Sequence, residues 1–587
     1  MRFLNLFITY LLIFIFILSI FTYPAIIHPN KYIYGPIYKT DNRGKIRDFW
    51  FMKYSFLGKI DFYNNNFINF PFGGRIKDLT LLPFWMTPAF FLSIWVNEIF
   101  AYNFLLFSSF VLAFIGMYLL AFYITRSHFS SFVAGLLYSL CPYHFNKAWE
   151  HYNLAFIEFF PFVFLYLFKL RQNSSFKNII IAALFIFLAC VSDLSYAYIM
   201  CVFLFSYFIY ILICNIKNKH PAQETVFFIK VFLKLSIVVL ILSFPFLWPV
   251  FKQMFFTPKN NLVMKEVFIR PIKYLFSQSA RPLSYLIPAS AHPIFGRFTE
   301  LFFGNFLYGR NSIEHTLYLG WTNIILVFFL IKRWLKTKKL AVFNEQENFY
   351  ISFFILMAII SFLFSMPPFL NLIFFKIYFP SFFMYKILPM FRAYARFGVM
   401  LNLGFSVLAA IGISHLFKKL SKEKRIFYGA IIVILVLFEF INIPPFRAAD
   451  LSKDIPEVYQ WLATQKEDFA IVEYPMGLGE GGVGESYFNL DYFLYQRIHR
   501  KKIVEGAMPG LDGYELKKQI VKINKPETIE LLRAWKVKYI LVHLDLYENY
   551  SARNTEEIIG QAPDLKSSSG IRFIKRFQDV EVYEIVF

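Results

Sequence analysis

The sequence predicts an α-helical polytopic membrane protein of about eleven transmembrane helices followed by a C-terminal soluble α/β domain. Three observations carry this. Apolar residues make up 58% of the 587-residue chain, with a mean hydropathy of +0.50. They fall in long uninterrupted runs between residues 3 and 446, more than one soluble core can absorb. The linkers between the runs alternate, one set short and basic, the other longer and mixed in charge. After residue 446 the runs stop, and helix and strand signals alternate instead.

In chain order, residues 3–27 carry no charge and follow only Met1 and Arg2. That is longer than a signal-peptide core of about 7–15 residues, so it reads as an uncleaved signal anchor with its N-terminus inside. Residues 28–99 form the first outer loop. Its apolar part, 80–98, contains Pro83 and Pro88, which break a helical ladder, and reads as interfacial or re-entrant. The further spans fall near 100–124, 129–143, 153–170, 177–192, 194–214, 226–252, 316–331, 348–366, 397–417 and 427–445. Arg126, the Lys169–Lys177 linker, Lys217 and Lys219, the Lys332–Lys339 cluster and the Lys418–Arg425 cluster then all lie on one side, the cytoplasmic one by the positive-inside rule. Residues 144–152, Asp193, 253–315 and 367–396 lie on the other. Residues 1–446 thus form the membrane domain and 447–587 an extracytoplasmic α/β domain. Within the latter, Val458–Thr464 and Pro526–Ala534 read as helices, Phe469–Glu473 and Lys538–His543 as strands, and Phe573–Ile585 as a closing hairpin.

The net charge of +22 sits largely in short linkers. It sets topology and meets anionic headgroups, and it excludes nucleic acid as the partner. Cys141, Cys190, Cys201 and Cys214 lie in or beside apolar runs without a C-x-x-C pair, so they read as core residues and not as a disulfide or metal framework.

The candidates for chemistry cluster on the outer side. In YGPIYKTDNRGKIRDFWF, Asp41 and Asp48 are flanked by Arg43, Lys45 and Arg47. A carboxylate there can act as general base while the cations hold a phosphate; an ordinary solvated loop shows the same charges. Asp-Asn-Arg-Gly predicts a turn that exposes Asp41. In CPYHFNKAWEHYN, the residues His144, Lys147, Glu150 and His151 crowd a short connection, where polar groups between spans face a cavity or one another. The spacing is not a zinc signature, and no convincing metal-ligand set is present. Asp193 sits at a tip between spans. Arg281, His292 and Glu314 belong to a proline-shaped loop, where they serve a phosphate or lipid headgroups. Arg392 and Arg396 in MFRAYARF are spaced to share a helix face. Gly477, Gly479 and Gly482 match G-x-G-x-x-G, with Glu505 at the right distance, but Met476–Gly484 reads as a loop and not a dinucleotide site.

Several stretches together resemble the GT-C-type polytopic membrane glycosyltransferases, in particular bacterial members known as uncharacterised membrane proteins. They are the outer-loop Asp with its aromatic run and FPFGG, VAGLLYSLCPYHFNKAWEHYNLAFIEFFPFVFLYL, PLSYLIPASAHPIFG, MFRAYARFGVMLNLGFSVLAAIGI, and IPEVYQWLA with IVEYP and VKYILVHLD. The resemblance implies a cell-envelope enzyme of the inner (cell) membrane. It would move a sugar from a polyprenyl-phosphate donor to a glycan, lipid or polymer acceptor by an inverting displacement. It puts the catalytic acid residue in the first outer loop, at Asp41 or Asp48, with Asp41 preferred, although the acidic doublet of some branches is missing. Substrate-binding groups would come from His144, Lys147, Glu150, His151, Asp193, Arg281, His292, Glu314, Arg392 and Arg396, with the Arg, Lys and His among them stabilising the phosphate. No cofactor is expected; some branches use a divalent metal. A lipid-linked glycan transporter and a non-catalytic assembly protein of the same fold are the alternatives. The absence of an internal repeat and the one-sided polar groups weigh against transport.

Overall fold

The computed structural model describes residues 2–34, 41–58, 64–75, 85–219, 221–256, 269, 271–303, 312–337, 342–371, 375–442, 450–451, 455–477, 487–507, 512–551, 562–566 and 568–587. Gly479 and Gly482 of the glycine pattern, Lys338 and Lys339 of one basic cluster, and the side chain of Asp41 lie outside the described residues.

The chain is a multi-pass membrane protein. Among the described residues six helices are long and apolar enough to cross a bilayer: Phe3–Phe21, Glu98–Thr125, Leu194–Lys217, Ala222–Trp248, Glu345–Ser365 and Tyr394–Phe417. The other five expected spans are helical too, at His128–Ser139, Phe159–Gln172, Phe176–Ser192, Trp321–Thr337 and Lys422–Phe440, but each is shorter or tipped with charge. Among the described residues the count of about eleven full spans is therefore not confirmed. Packing explains part of the difference. His128–Ser139 is wrapped by the helices around it, with ten of its residues buried, and a helix surrounded by protein need not match the lipid thickness.

The bundle has a centre and a rim. The Tyr394–Phe417 span is 94% buried and the Ala222–Trp248 span 6%. Only a lipid environment makes the second sequence tolerable, since Leu233 and Leu240 are more than half exposed. Helix starts follow the capping rules: Asn97 accepts from Phe100 N, Ser127 from Ser130 N, Ser175 from Asn178 N, and Asn344 forms a capping box with Glu347. The proline-bearing 80–98 region yields only Met86–Trp95, which rises ~15 Å and cannot span.

The C-terminal region builds a five-stranded sheet from β1 (Ala470–Tyr474), β2 (Lys502–Ile503), β3 (Val537–His543), β4 (Ile571–Phe577) and β5 (Val580–Ile585). Its order is β2-β1-β3-β5-β4, with β1, β2 and β3 parallel and the β4–β5 hairpin antiparallel. Every residue of β1 is buried, as expected of a central strand covered on both faces.

The first loop and this sheet are one structure. Phe67–Phe70 runs along β2 as an added edge: Ile503 N donates to Phe67 O at 2.9 Å, Phe70 N to Ile503 O at 3.1 Å and Asn69 N to Glu505 O at 2.6 Å. Gly73, at φ 75°, closes the turn that follows, and Asn69 Nδ2 donates to its carbonyl at 2.8 Å. Gly513, at φ 79°, packs against the Phe72 ring where a β-carbon would collide.

Candidate active site at the bundle mouth

Four charged side chains from four separate elements meet at one end of the helices. Lys147 comes from helix Pro142–Glu150 and Asp193 caps helix Leu194–Lys217. Glu314 comes from the short helix Ser312–His315, and Arg396 from the 3-10 turn Tyr394–Phe397. Lys147 Nζ lies 3.0 Å from Glu314 Oε2 and donates to Ile313 O at 3.0 Å. Arg396 donates to Glu314 Oε1 from Nε at 3.3 Å and from Nη2 at 3.1 Å, and to Ser195 Oγ from Nη1 at 3.2 Å. Its Nη1 stands 3.8 Å from Asp193 Oδ1, which also accepts from Ser195 N at 2.8 Å and Ser195 Oγ at 2.5 Å. Tyr143 and Tyr196 back the cluster with their hydroxyls 3.1 Å apart.

Two cations and two anions thus form a nearly neutral cluster in an apolar setting, linked in the order Lys147–Glu314–Arg396–Asp193. Burial pushes the Lys147 ammonium down to about 8, opposed by Glu314. Burial works the other way on Glu314, yet Lys147 and Arg396 hold its carboxyl well below the usual range. Removing such ions from water costs several kcal/mol each, returned only when geometry and hydrogen bonds are good. Glu150 and His151, at the end of the same short helix, bias Lys147 and Glu314 respectively. His315 sits beside Glu314; burial, then the Arg281 charge, pushes it down to about 4.

Five expected contributors to substrate binding or catalysis are placed differently. His144 is fully buried, its Nδ1 donating to Ser139 O at 2.8 Å, its Nε2 3.1 Å from Ser109 Oγ and its ring stacked on Phe110 at 3.7 Å. Burial pushes it down to about 3, and its two hydrogen bonds brace helix packing. Arg281 turns back on its own loop, donating to the carbonyls of Phe276, Ser279 and Ala280. His292 ties that loop to helix Lys422–Phe440, its Nε2 donating to Phe438 O at 2.9 Å. Arg392 and Arg396 do not share a helix face: the chain is irregular after Pro389 and only Tyr394–Phe397 turns, as a 3-10 segment. Asp41-Asn-Arg-Gly is not a turn but the start of helix Asp41–Gly58.

That helix faces the C-terminal sheet. Arg43 pairs with Asp491, and Arg47 Nε donates to Gln496 Oε1 at 3.0 Å, both partners on helix Tyr487–His499. Arg497 reaches back to Glu98 at 3.3 Å, and Lys53 to the same carboxylate at 3.7 Å. The basic residues around Asp48 are thus used for docking. Asp48 itself remains 41% exposed, with Lys45 at 3.9 Å and Arg47 at 3.6 Å. Sequence reasoning missed Ser195, Tyr196 and this interface; nothing in the spacing of Arg43 or Arg47 foretells partners more than four hundred residues away. Among the described residues no group of three or more His, Cys, Asp or Glu side chains is placed to hold a metal ion.

No family model matches the chain, and no curated protein matches it. Solved structures do. The arabinofuranosyltransferase AftD from Mycobacteria matches with a TM-score of 0.56 at 11% identity, over 99% of this chain and 40% of that one. The archaeal oligosaccharyltransferase AglB from Archaeoglobus fulgidus, in complex with an inhibitory peptide and a dolichol-phosphate, matches with 0.53 at 13% identity, over 98% and 74%. The apo form of an A. fulgidus oligosaccharyltransferase gives 0.52 at 12% identity, over 96% and 73%. This chain therefore spans less than half the length of the arabinofuranosyltransferase. The fold is that of the GT-C-type membrane glycosyltransferases.

Proposed function

We propose that the protein is a membrane glycosyltransferase that moves a sugar from a polyprenyl-phosphate donor to an acceptor on the outer face of the cell membrane, with the C-terminal sheet region extracytoplasmic. The observation that carries this is the charge cluster Lys147–Glu314–Arg396–Asp193 at the mouth of an otherwise apolar bundle. Ionisable groups at that depth are costly and mark a substrate path. The likeness in fold to structures that include a dolichol-phosphate complex supports the donor class.

In this reading Lys147 and Arg396 face the lipid phosphate, and Glu314 and Asp193 hold them in place. Asp48 or Asp41 takes the proton from an acceptor hydroxyl. The acceptor oxygen forms the new bond to the anomeric carbon while the bond from that carbon to the phosphate oxygen breaks. The electron pair leaves with the lipid phosphate, whose charge the two cations stabilise. One displacement inverts the anomeric centre.

The test is lipid and surface-glycan mass spectrometry on a deletion strain complemented by wild type, Asp41→Asn or Asp48→Asn. Loss of the base lowers turnover about 10²–10⁴-fold. One variant should then leave a glycan short by one sugar and let lipid-linked sugar accumulate, although it is made and inserted. Full restoration by both variants overturns the carboxylate mechanism.

A further inference from the structure

A second polar site lies in the C-terminal sheet. Strand β1 is flanked by β2 on one side and β3 on the other, all three parallel. The chain leaves β1, returns through helix Tyr487–His499 to β2, and only later fills the opposite side with β3. In open α/β sheets that reversal opens a crevice beyond the carboxyl ends of the strands, where ligands bind.

Four ionisable side chains gather there. Glu473 is the penultimate residue of β1, His543 the last of β3, and Glu505 stands two residues past β2. Lys517 reaches in from helix Tyr514–Gln519 and donates to Val504 O. Exposure is 0% for Glu473, 1% for Glu505 and 0% for Lys517. Glu473 Oε2 accepts from Tyr459 OH at 2.7 Å and lies 2.8 Å from His543 Nε2. Glu505 Oε1 accepts from Glu473 N at 2.5 Å. The other oxygen of each carboxylate, Glu473 Oε1 and Glu505 Oε2, is buried and receives no hydrogen bond among the described residues. A desolvated acceptor without a donor is costly, and natural folds seldom leave two side by side.

We propose that Glu473 and Glu505 form a binding site for a sugar residue of the acceptor glycan, each unpaired oxygen hydrogen-bonding a hydroxyl, which can both donate and accept. The assignment rests on the transferase reading only in naming the ligand an acceptor. The chemistry favours hydroxyls over a metal ion, because Lys517 already brings a cationic side chain against Glu505. Flat rings stand close by for a sugar face: Tyr492 stacks on His543 at 5.1 Å, and Tyr459 on Tyr495 at 4.5 Å. The site is joined to the first loop through the Asn69 N to Glu505 O bond and, one helix away, through Gln496 and Arg47. An acceptor held here is thus held by the same unit that carries Asp48.

Saturation-transfer NMR on the full-length protein in nanodiscs, with glucose, galactose, mannose, N-acetylglucosamine and arabinose as probes, tests this. At least one probe should bind the wild type, and Glu473→Gln or Glu505→Gln should weaken it about tenfold or more. Asp48→Asn should bind as wild type does, so sugar binding that persists while both Asp variants keep full activity sinks the transferase reading alone. Glu505→Gln decides if Glu473→Gln fails to fold, because the amide carbonyl it introduces still accepts from Glu473 N. The proposal is overturned if no probe binds the wild type or if binding survives in the Gln variants. It is equally overturned if a magnesium or calcium isotherm, lost in those variants, appears in place of sugar binding.

Discussion

The mouth of the bundle and the carboxyl edge of the sheet both bury charge, and they do so in opposite ways. At the mouth, opposite charges from four elements close on each other, and Glu314 is held ionised between Lys147 and Arg396. At the sheet edge two like carboxylates lie together; burial, then the nearby Glu473 charge, pushes Glu505 up to about 8. The first arrangement organises cations and keeps them charged, as a leaving phosphate requires. The second holds buried carboxyl oxygens without partners among the described residues, which suits a hydroxyl-bearing ligand that can donate and accept.

That contrast breaks most visibly at Glu314. Glu314→Ala leaves buried Lys147 without its carboxylate and Arg396 with Asp193 alone, and should cost ~3–5 kcal/mol, read as a lowered thermal midpoint in nanodiscs. Lys147→Met added to it should recover part of the loss; a double variant no better than the single one would mean the cluster is not a unit. Next in size is the loop clamp. Arg47→Ala removes a charge-assisted bond to Gln496 worth ~1.5–3 kcal/mol, so amide exchange across residues 41–58 should quicken while that of the Tyr394–Phe417 span stays unchanged.

The pH response should separate the two sites as well. The folded-state pKa of Glu505 lies above its ordinary 4.5, so its bound proton stabilises the fold fully below pH 4.5, and that contribution fades as pH rises to about 8. Unfolding of the sheet region, followed by chemical denaturation, should show this loss in wild type and a flatter profile in Glu505→Gln. The smallest effect is expected at His144. It braces helices with two hydrogen bonds, so His144→Gln should lower stability by ~1–2 kcal/mol and leave product formation intact. Loss of turnover in a stable His144→Gln protein would return this residue to the substrate path.

Much of the fold was legible in the chain because its signals are local. Apolar runs, caps such as Ser127 and Asn344, and the strand at Ile471–Glu473 depend on neighbours within a few residues. Of the candidate residues, Lys147, Asp193, Glu314 and Arg396 do meet, since charged groups at span ends have few other places to go. His144, Arg281 and His292 resemble them in composition yet are consumed by Ser139, by the carbonyls of residues 276–280 and by Phe438. Residue type shows that a side chain can donate a hydrogen bond; it does not show which acceptor arrives first.

The sequence by itself determined that this chain lives in a membrane, that polar groups gather at span ends, and that a mixed α/β segment follows, because hydropathy and periodicity are sums over near neighbours. Only the tertiary structure decided that Phe67–Phe70 completes the sheet, that Arg43 and Arg47 serve docking, and that the Glu505 carboxylate lies against the Glu473 backbone. Those outcomes bring together residues up to 449 positions apart. Pairings at that range depend on how the whole chain packs, and no local pattern encodes them.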